Sequence, residues 1–162
     1  MNEREINKLT RSASPLERMK AINLGYNPVH FISDCSASVR FTAVKKLQEI
    51  VMAQEPQIAI KNFDVYTVPT REKEAIELAV CDISPKVSLA ATEALMYVKA
   101  KELHAAVNKV IALYGMENIS YFFGSDIEQM IKRGLEEKKL DALPDLKEDV
   151  SRERKKSIGM DM

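Results

Sequence analysis

Tryptophan is absent from this chain, and glycine and cysteine are scarce: five Gly and two Cys in 162 residues, with six Pro. So few turn-formers exclude a turn-rich β protein and suit a helical one. Cys35 and Cys81 are too few for a disulfide framework, and no CxxC pair occurs. They read as two buried thiols in a reducing cytoplasm. No apolar run is long enough to cross a bilayer. The N-terminal "MNEREINKLTR" is charged where a secretory signal would be apolar. The expectation is a soluble, cytoplasmic protein with no membrane partner. Neither sign of charge dominates, since Lys+Arg and Asp+Glu are 24 each. That argues against a general polyanion binder while leaving room for a local basic patch.

Chemistry-bearing patterns are missing too. There is no Gly-rich phosphate loop, and the two His and two Cys have no metal-ligand spacing. His30 near Cys35 invites a nucleophile reading, but a small buried Cys in a turn accounts for it more simply. His104 reads as a packed or surface histidine of a long helix. Glu72/Glu74 and Glu136/Glu137 read as solvated helix ends and faces. No catalytic residue, cofactor or metal is therefore expected, and the chain is read as not an enzyme.

What the chain does contain is a series of helix signals. Ser14-Pro15-Leu16-Glu17 has the form of a capping box with Pro at the first helical position, and Gly25 is a natural stop. Asn27-Pro28 opens a short turn to about Ile32, and a helix follows from near Ser36 to about Ala53. Residues 57–69, "QIAIKNFDVYTVP", are expected to form a short helix and an extended connection, because a lone strand in "DVYTV" would lack a partner. Thr70 caps a helix from Arg71 to about Val80. From Pro85 to Tyr114 helical spacing persists without Gly or further Pro, giving one long helix or two joined by a turn near 99–102. Ser125-Asp126-Ile127-Glu128 reads as another capping box. Residues 1–143 are expected to form a single domain and 144–162 a charged, flexible tail.

One phrase occurs twice. Residues 36–47 read "SASVRFTAVKKL" and residues 84–95 read "SPKVSLAATEAL". Between Asp34–Ile50 and Asp82–Val98, the pairs Asp34/Asp82, Ser36/Ser84, Val39/Val87, Ala43/Ala91 and Leu47/Leu95 are identical. Unrelated segments of ordinary composition would share roughly one identity over this span. Val, Ala and Leu fall on one helical stripe, while Asp and Ser lie in the preceding turn, where they can accept backbone N–H bonds. Any two amphipathic helices could share the stripe, but that does not account for the paired Asp and Ser. A period just under fifty residues is that of stacked helical hairpins.

At Asp34, Val39, Arg40, Ala43 and Leu47, and again at Asp82, Val87, Ala91 and Leu95, the chain resembles the HEAT-repeat family and related armadillo-like solenoids, over roughly residues 14–98. The second copy departs from the family pattern at Ser88, where Arg would stand. The resemblance implies an all-α fold of stacked antiparallel helical hairpins, five to seven helices in number. It also implies that Arg40 pairs with a turn carboxylate, Asp34 or Asp82. Such stacks bind other macromolecules. The expected function is a non-catalytic protein–protein interaction module, with another protein or a second copy as partner; a nucleic-acid-binding HEAT-like domain is the alternative. Because every hairpin must bury its apolar face on a neighbour, the groups near the open end form the candidate interface: Leu103, Tyr121, Phe122, Phe123, Met130 and Leu135.

Overall fold

The structure, a computed structural model, describes residues 2–141, with side chains through residue 134. The expected tail at 144–162 lies outside those residues, and the side chains of Leu135 and of the acidic pair Glu136/Glu137 lie outside the described side chains. The fold is mostly helical. Seven α-helices run along the described chain: α1 (Glu3–Thr10), α2 (Pro15–Asn23), α3 (Ala37–Ala53), α4 (Arg71–Ala79), α5 (Pro85–Tyr114), α6 (Ile119–Phe123) and α7 (Ser125–Asp141). A two-stranded sheet, β1 (Ile58–Lys61) with β2 (Asp64–Thr67), lies between α3 and α4. The chain divides into two compact units, Met1–Lys109 and the part beginning at Val110.

In the first unit, α1 starts at a true capping box: Asn2 accepts from the Glu5 N–H at 2.9 Å while Glu5 accepts from the Asn2 N–H. The box expected at Ser14 and Glu17 is not formed; Ser14 makes no side-chain cap, and its N–H donates to Ser12 Oγ at 3.1 Å. Pro15 still starts α2, because its fixed φ suits the first helical position. Gly25, at φ +109°, turns the chain after α2 in a conformation that side-chain-bearing residues avoid. Asn27 then caps a single 3₁₀ turn, Pro28–Phe31, by accepting from the Val29 N–H.

Helix α3 is the centre of this unit. Val39 and Ala43 pack with Ile22 of α2 and Phe31 of the 3₁₀ turn. Val44 and Leu47, a third of a turn away, pack with Ala75, Ile76 and Ala79 of α4 and Val87, Ala90, Ala91 and Ala94 of α5. Ile22, Leu47 and Ile76 are wholly buried, each stabilising by about 2–3 kcal/mol through area removed from water. Alanines at the contacts let the helix axes come close, so Ala43 and Ala91 are both fully buried.

Residues 57–69 correct the expectation of a short helix. "IAIK" is the partner that "DVYT" was thought to lack: Ile58 pairs with Thr67, Ala59 with Tyr66, Ile60 with Val65 and Lys61 with Asp64, antiparallel. The two-residue connection, Asn62 and Phe63, has φ +51° and +65°, the mirror-image turn whose twist matches a hairpin. Phe at such a position is unusual, and so the Asn-Gly signal that marks these turns is absent from the sequence.

The region 86–114 is one helix, α5, capped at its end by Gly115, whose N–H donates to Ile111 O. In the second unit Ile119 is buried and Tyr114 packs on Phe122, ring centroids 5.0 Å apart. The box expected at Ser125 is displaced as well: α7 already includes Ser125, and the Glu128 N–H bonds to Gly124 O.

Candidate functional site

The helices α2, α3 and α5 begin alike. The carbonyl of a serine just ahead of each helix, Ser14, Ser36 or Ser84, accepts from the N–H four residues on, that of Arg18, Arg40 or Ser88. That fourth residue is where the three diverge or agree. Arg18 sends Nε to Asp34 Oδ2 at 2.8 Å and Nη2 to Asp34 Oδ1 at 3.0 Å, while Nη1 donates to Ser12 O at 2.8 Å. Arg40 repeats the arrangement one step along: Nε to Asp82 Oδ2 at 2.8 Å, Nη2 to Asp82 Oδ1 at 3.2 Å, and Nη1 to Asp34 O at 2.7 Å. Each guanidinium thus ties the turn before its own helix to the carboxylate in the turn before another helix. The fork-on-fork geometry suits Arg and not Lys. At Ser88 the series stops: its hydroxyl donates to Val80 O at 2.6 Å and reaches no carboxylate.

Both carboxylates also hold their own turns, Asp34 accepting from the Ser36 N–H and Asp82 from the Ser84 N–H, each at 2.8 Å. The ion pairs are largely closed to water, with side-chain exposure of 10% and 8% for Arg18–Asp34 and 12% and 8% for Arg40–Asp82. Burial alone would push both aspartates up. The arginine hydrogen bonds, the backbone N–H bonds and the arginine charges outweigh it and hold Asp34 and Asp82 below the ordinary carboxylate range. A carboxylate whose pKa is lower folded than unfolded adds stability above its unfolded value near 4 and loses it as pH falls through the folded value. The urea midpoint should therefore hold steady above about pH 5 and fall in acid below about pH 4, less steeply in Asp82→Asn. An acid limb identical in that variant would contradict the assignment.

The repeated phrase is placed as follows. Val39, Ala43, Leu47, Val87 and Ala91 are buried, and Leu95 is half-buried against the same core. Arg40 meets both expected residues, the carboxylate of Asp82 and the carbonyl of Asp34. Arg18 was missed. Its signal was present in "SPLER", which sets Ser14-Pro15 four and three residues before Arg18 as "SPKVS" sets Ser84-Pro85 before Ser88. Cys35 and Cys81 are exposed, against the expectation of buried thiols: both lie in the turns that precede α3 and α5. His30 is exposed beside the Tyr26 ring, and His104 is exposed beside Asn108.

A cleft of about 500 Å³ lies in the first unit among the end of α3, the hairpin's flanks, and α4 and α5, lined by Met52, Pro56, Val68, Lys73, Val98, Lys101 and Glu102. Its charges answer one another. Lys73 Nζ bonds Glu102 Oε2 at 2.8 Å and lies 2.6 Å from Oε1, which water does not reach. The Lys101 ammonium donates to the carbonyls of Met52 and Gln54 at the end of α3, and Lys109 donates to Ile58 O. These lysines tether the hairpin and finish α3. No cluster of His, Cys, Asp and Glu among the described residues could hold a metal ion. No helix among them is long and apolar enough to cross a membrane.

The surface carries more apolar groups than the core needs. Of the candidate interface, Leu103, Tyr121 and Met130 are exposed, while Phe122 and Phe123 are half-buried. A second group was not foreseen: Leu89, Met96 and Tyr97 are each exposed by 60% or more. Leu89, Met96 and Leu103 recur every seven residues, on the side of α5 opposite the buried Val87, Ala91, Ala94 and Val98. Compared with known proteins, the chain matches no family model, no curated protein and no solved structure.

Proposed function

We propose that this chain is a short HEAT-like α-solenoid working as a non-catalytic protein–protein interaction module. One observation carries the reading. On α3, Phe41, Val44 and Val51 face α4 and α5. The 48-residue shift that superposes the two phrases carries these onto Leu89, Thr92 and Lys99 of α5, all exposed. The side of α3 that receives the next pair of helices thus has its counterpart in an uncovered, partly apolar side of α5. A stack that ends this way presents a stacking surface to whatever binds it. The two arginine–aspartate ties and the alanine contacts support the stacked-repeat reading.

The alternative, nucleic-acid binding, needs free cations on one face. Here Arg18, Arg40, Lys73, Lys101 and Lys109 are committed to carboxylates or carbonyls, and Lys86 lies over the Phe41 ring at 4.5 Å. Exposed cations remain elsewhere, Lys20, Lys45 and Lys61 among them, but the uncovered face of α5 is led by Leu89 and Met96, and that favours protein as the partner. The test is photo-crosslinking in the cells that express the protein, with a photoreactive residue at Leu89, at Met96 or, as control, at the exposed Leu78 of α4. Discrete protein adducts from Leu89 and Met96 are expected, with none from Leu78. Nucleic-acid adducts, or no adduct specific to α5, would overturn the reading.

A further inference from the structure

We propose that the outer face of α5 binds a second copy of this chain, antiparallel, about a two-fold axis at Met96. The inference rests on reading that face as the open end of the stack, and it names the occupant. Self-complementarity is what selects a second copy over a different partner. A two-fold interface must present the same patch twice, so its residues must match when the chain is read backwards from the axis.

The outer face of α5 does this. Leu89 lies seven residues before Met96 and Leu103 seven after, so each leucine falls on the other's partner while Met96 meets Met96. Thr92 lies four before and Ala100 four after; both are exposed and small enough to let the helices approach. Glu93 lies three before and Lys99 three after, both exposed and, among the described residues, without an ion pair. The axis sets each glutamate at the level of the other copy's lysine, opposite charges that can meet across the crossing. A parallel pairing would also bring the leucines together, but it would set Glu93 against Glu93 and Lys99 against Lys99, so the charges select the antiparallel one. From Leu89 to Leu103 the stripe is about 20 Å long at the helical rise. Two such faces would remove on the order of 1,000 Å² from water, the size of a weak and reversible interface.

Sedimentation equilibrium of the full chain, from a few micromolar to several hundred, should show a monomer–dimer equilibrium. Met96→Asp, on an exposed position, should stay folded by circular dichroism and remain monomeric throughout. In a background with Cys35→Ser and Cys81→Ser, Met96→Cys should oxidise to a covalent dimer, while Leu78→Cys should not. Leu89→Cys and Leu103→Cys should cross-link to each other when mixed and much less when alone. A monomer at every concentration overturns the proposal, as does a dimer that Met96→Asp leaves intact or that Met96→Cys fails to trap. If the chain is monomeric and Met96 still cross-links to another protein in cells, this inference fails while the interaction reading stands.

Discussion

Asp82→Ala should destabilise the first unit by about 3–5 kcal/mol, the cost of stripping one partner from a buried ion pair. Two losses combine. The Arg40 guanidinium, on a side chain 12% exposed, keeps its bond to Asp34 O but has no counter-charge. The Ser84 N–H loses the acceptor that fixes the turn into α5. Asp82→Asn should cost less, because an amide oxygen can still accept from Ser84. Chemical denaturation followed by circular dichroism measures both, and a change under about 1 kcal/mol in Asp82→Ala would mean that the pair is solvated after all.

Truncating the two leucines of the repeated phrase should give unequal results. Leu47 is fully buried in the cluster that α3 forms with α4 and α5, so Leu47→Ala should cost about 2–5 kcal/mol. Leu95 holds the same place in the phrase but is only half-buried. Leu95→Ala should cost no more than about half as much, since fewer contacts and a smaller cavity are at stake. Equal losses would show that α5 is covered as α3 is, and would remove the uncovered face on which the interaction reading depends.

The helices were legible because their signals are local. Asn27-Pro28, Thr70 and the uninterrupted run from Pro85 each fix an element start through one cap or one ring. The buried stripe of α3 followed from Val39, Ala43 and Leu47 at helical spacing. The hairpin was not legible, because the turn residue Phe63 takes a left-handed conformation that its chemistry does not advertise. The exposure of Cys35 and Cys81 depends on where the turns before α3 and α5 set them, and composition carries no trace of that. In α5, Leu89 and Met96 look like core residues by spacing; only the finding that Val87, Ala91 and Val98 already fill the opposite contact shows them uncovered. Arg18 shows the reverse case, a signal in "SPLER" that could be seen once Arg40 was known to tie two turns together.

The most direct test of the proposed stacked arrangement is a double-mutant cycle on Arg40 and Asp82, residues 42 apart in sequence. Arg40→Leu, Asp82→Ala and the double variant would be compared by urea denaturation of the full chain. If the pair ties α3 to the turn before α5, the double variant should be more stable than the sum of the singles predicts, with a coupling of about 1.5–3 kcal/mol. Additivity within about 0.5 kcal/mol would mean that the two side chains act independently, and the proposed stack would have lost the contact that defines it.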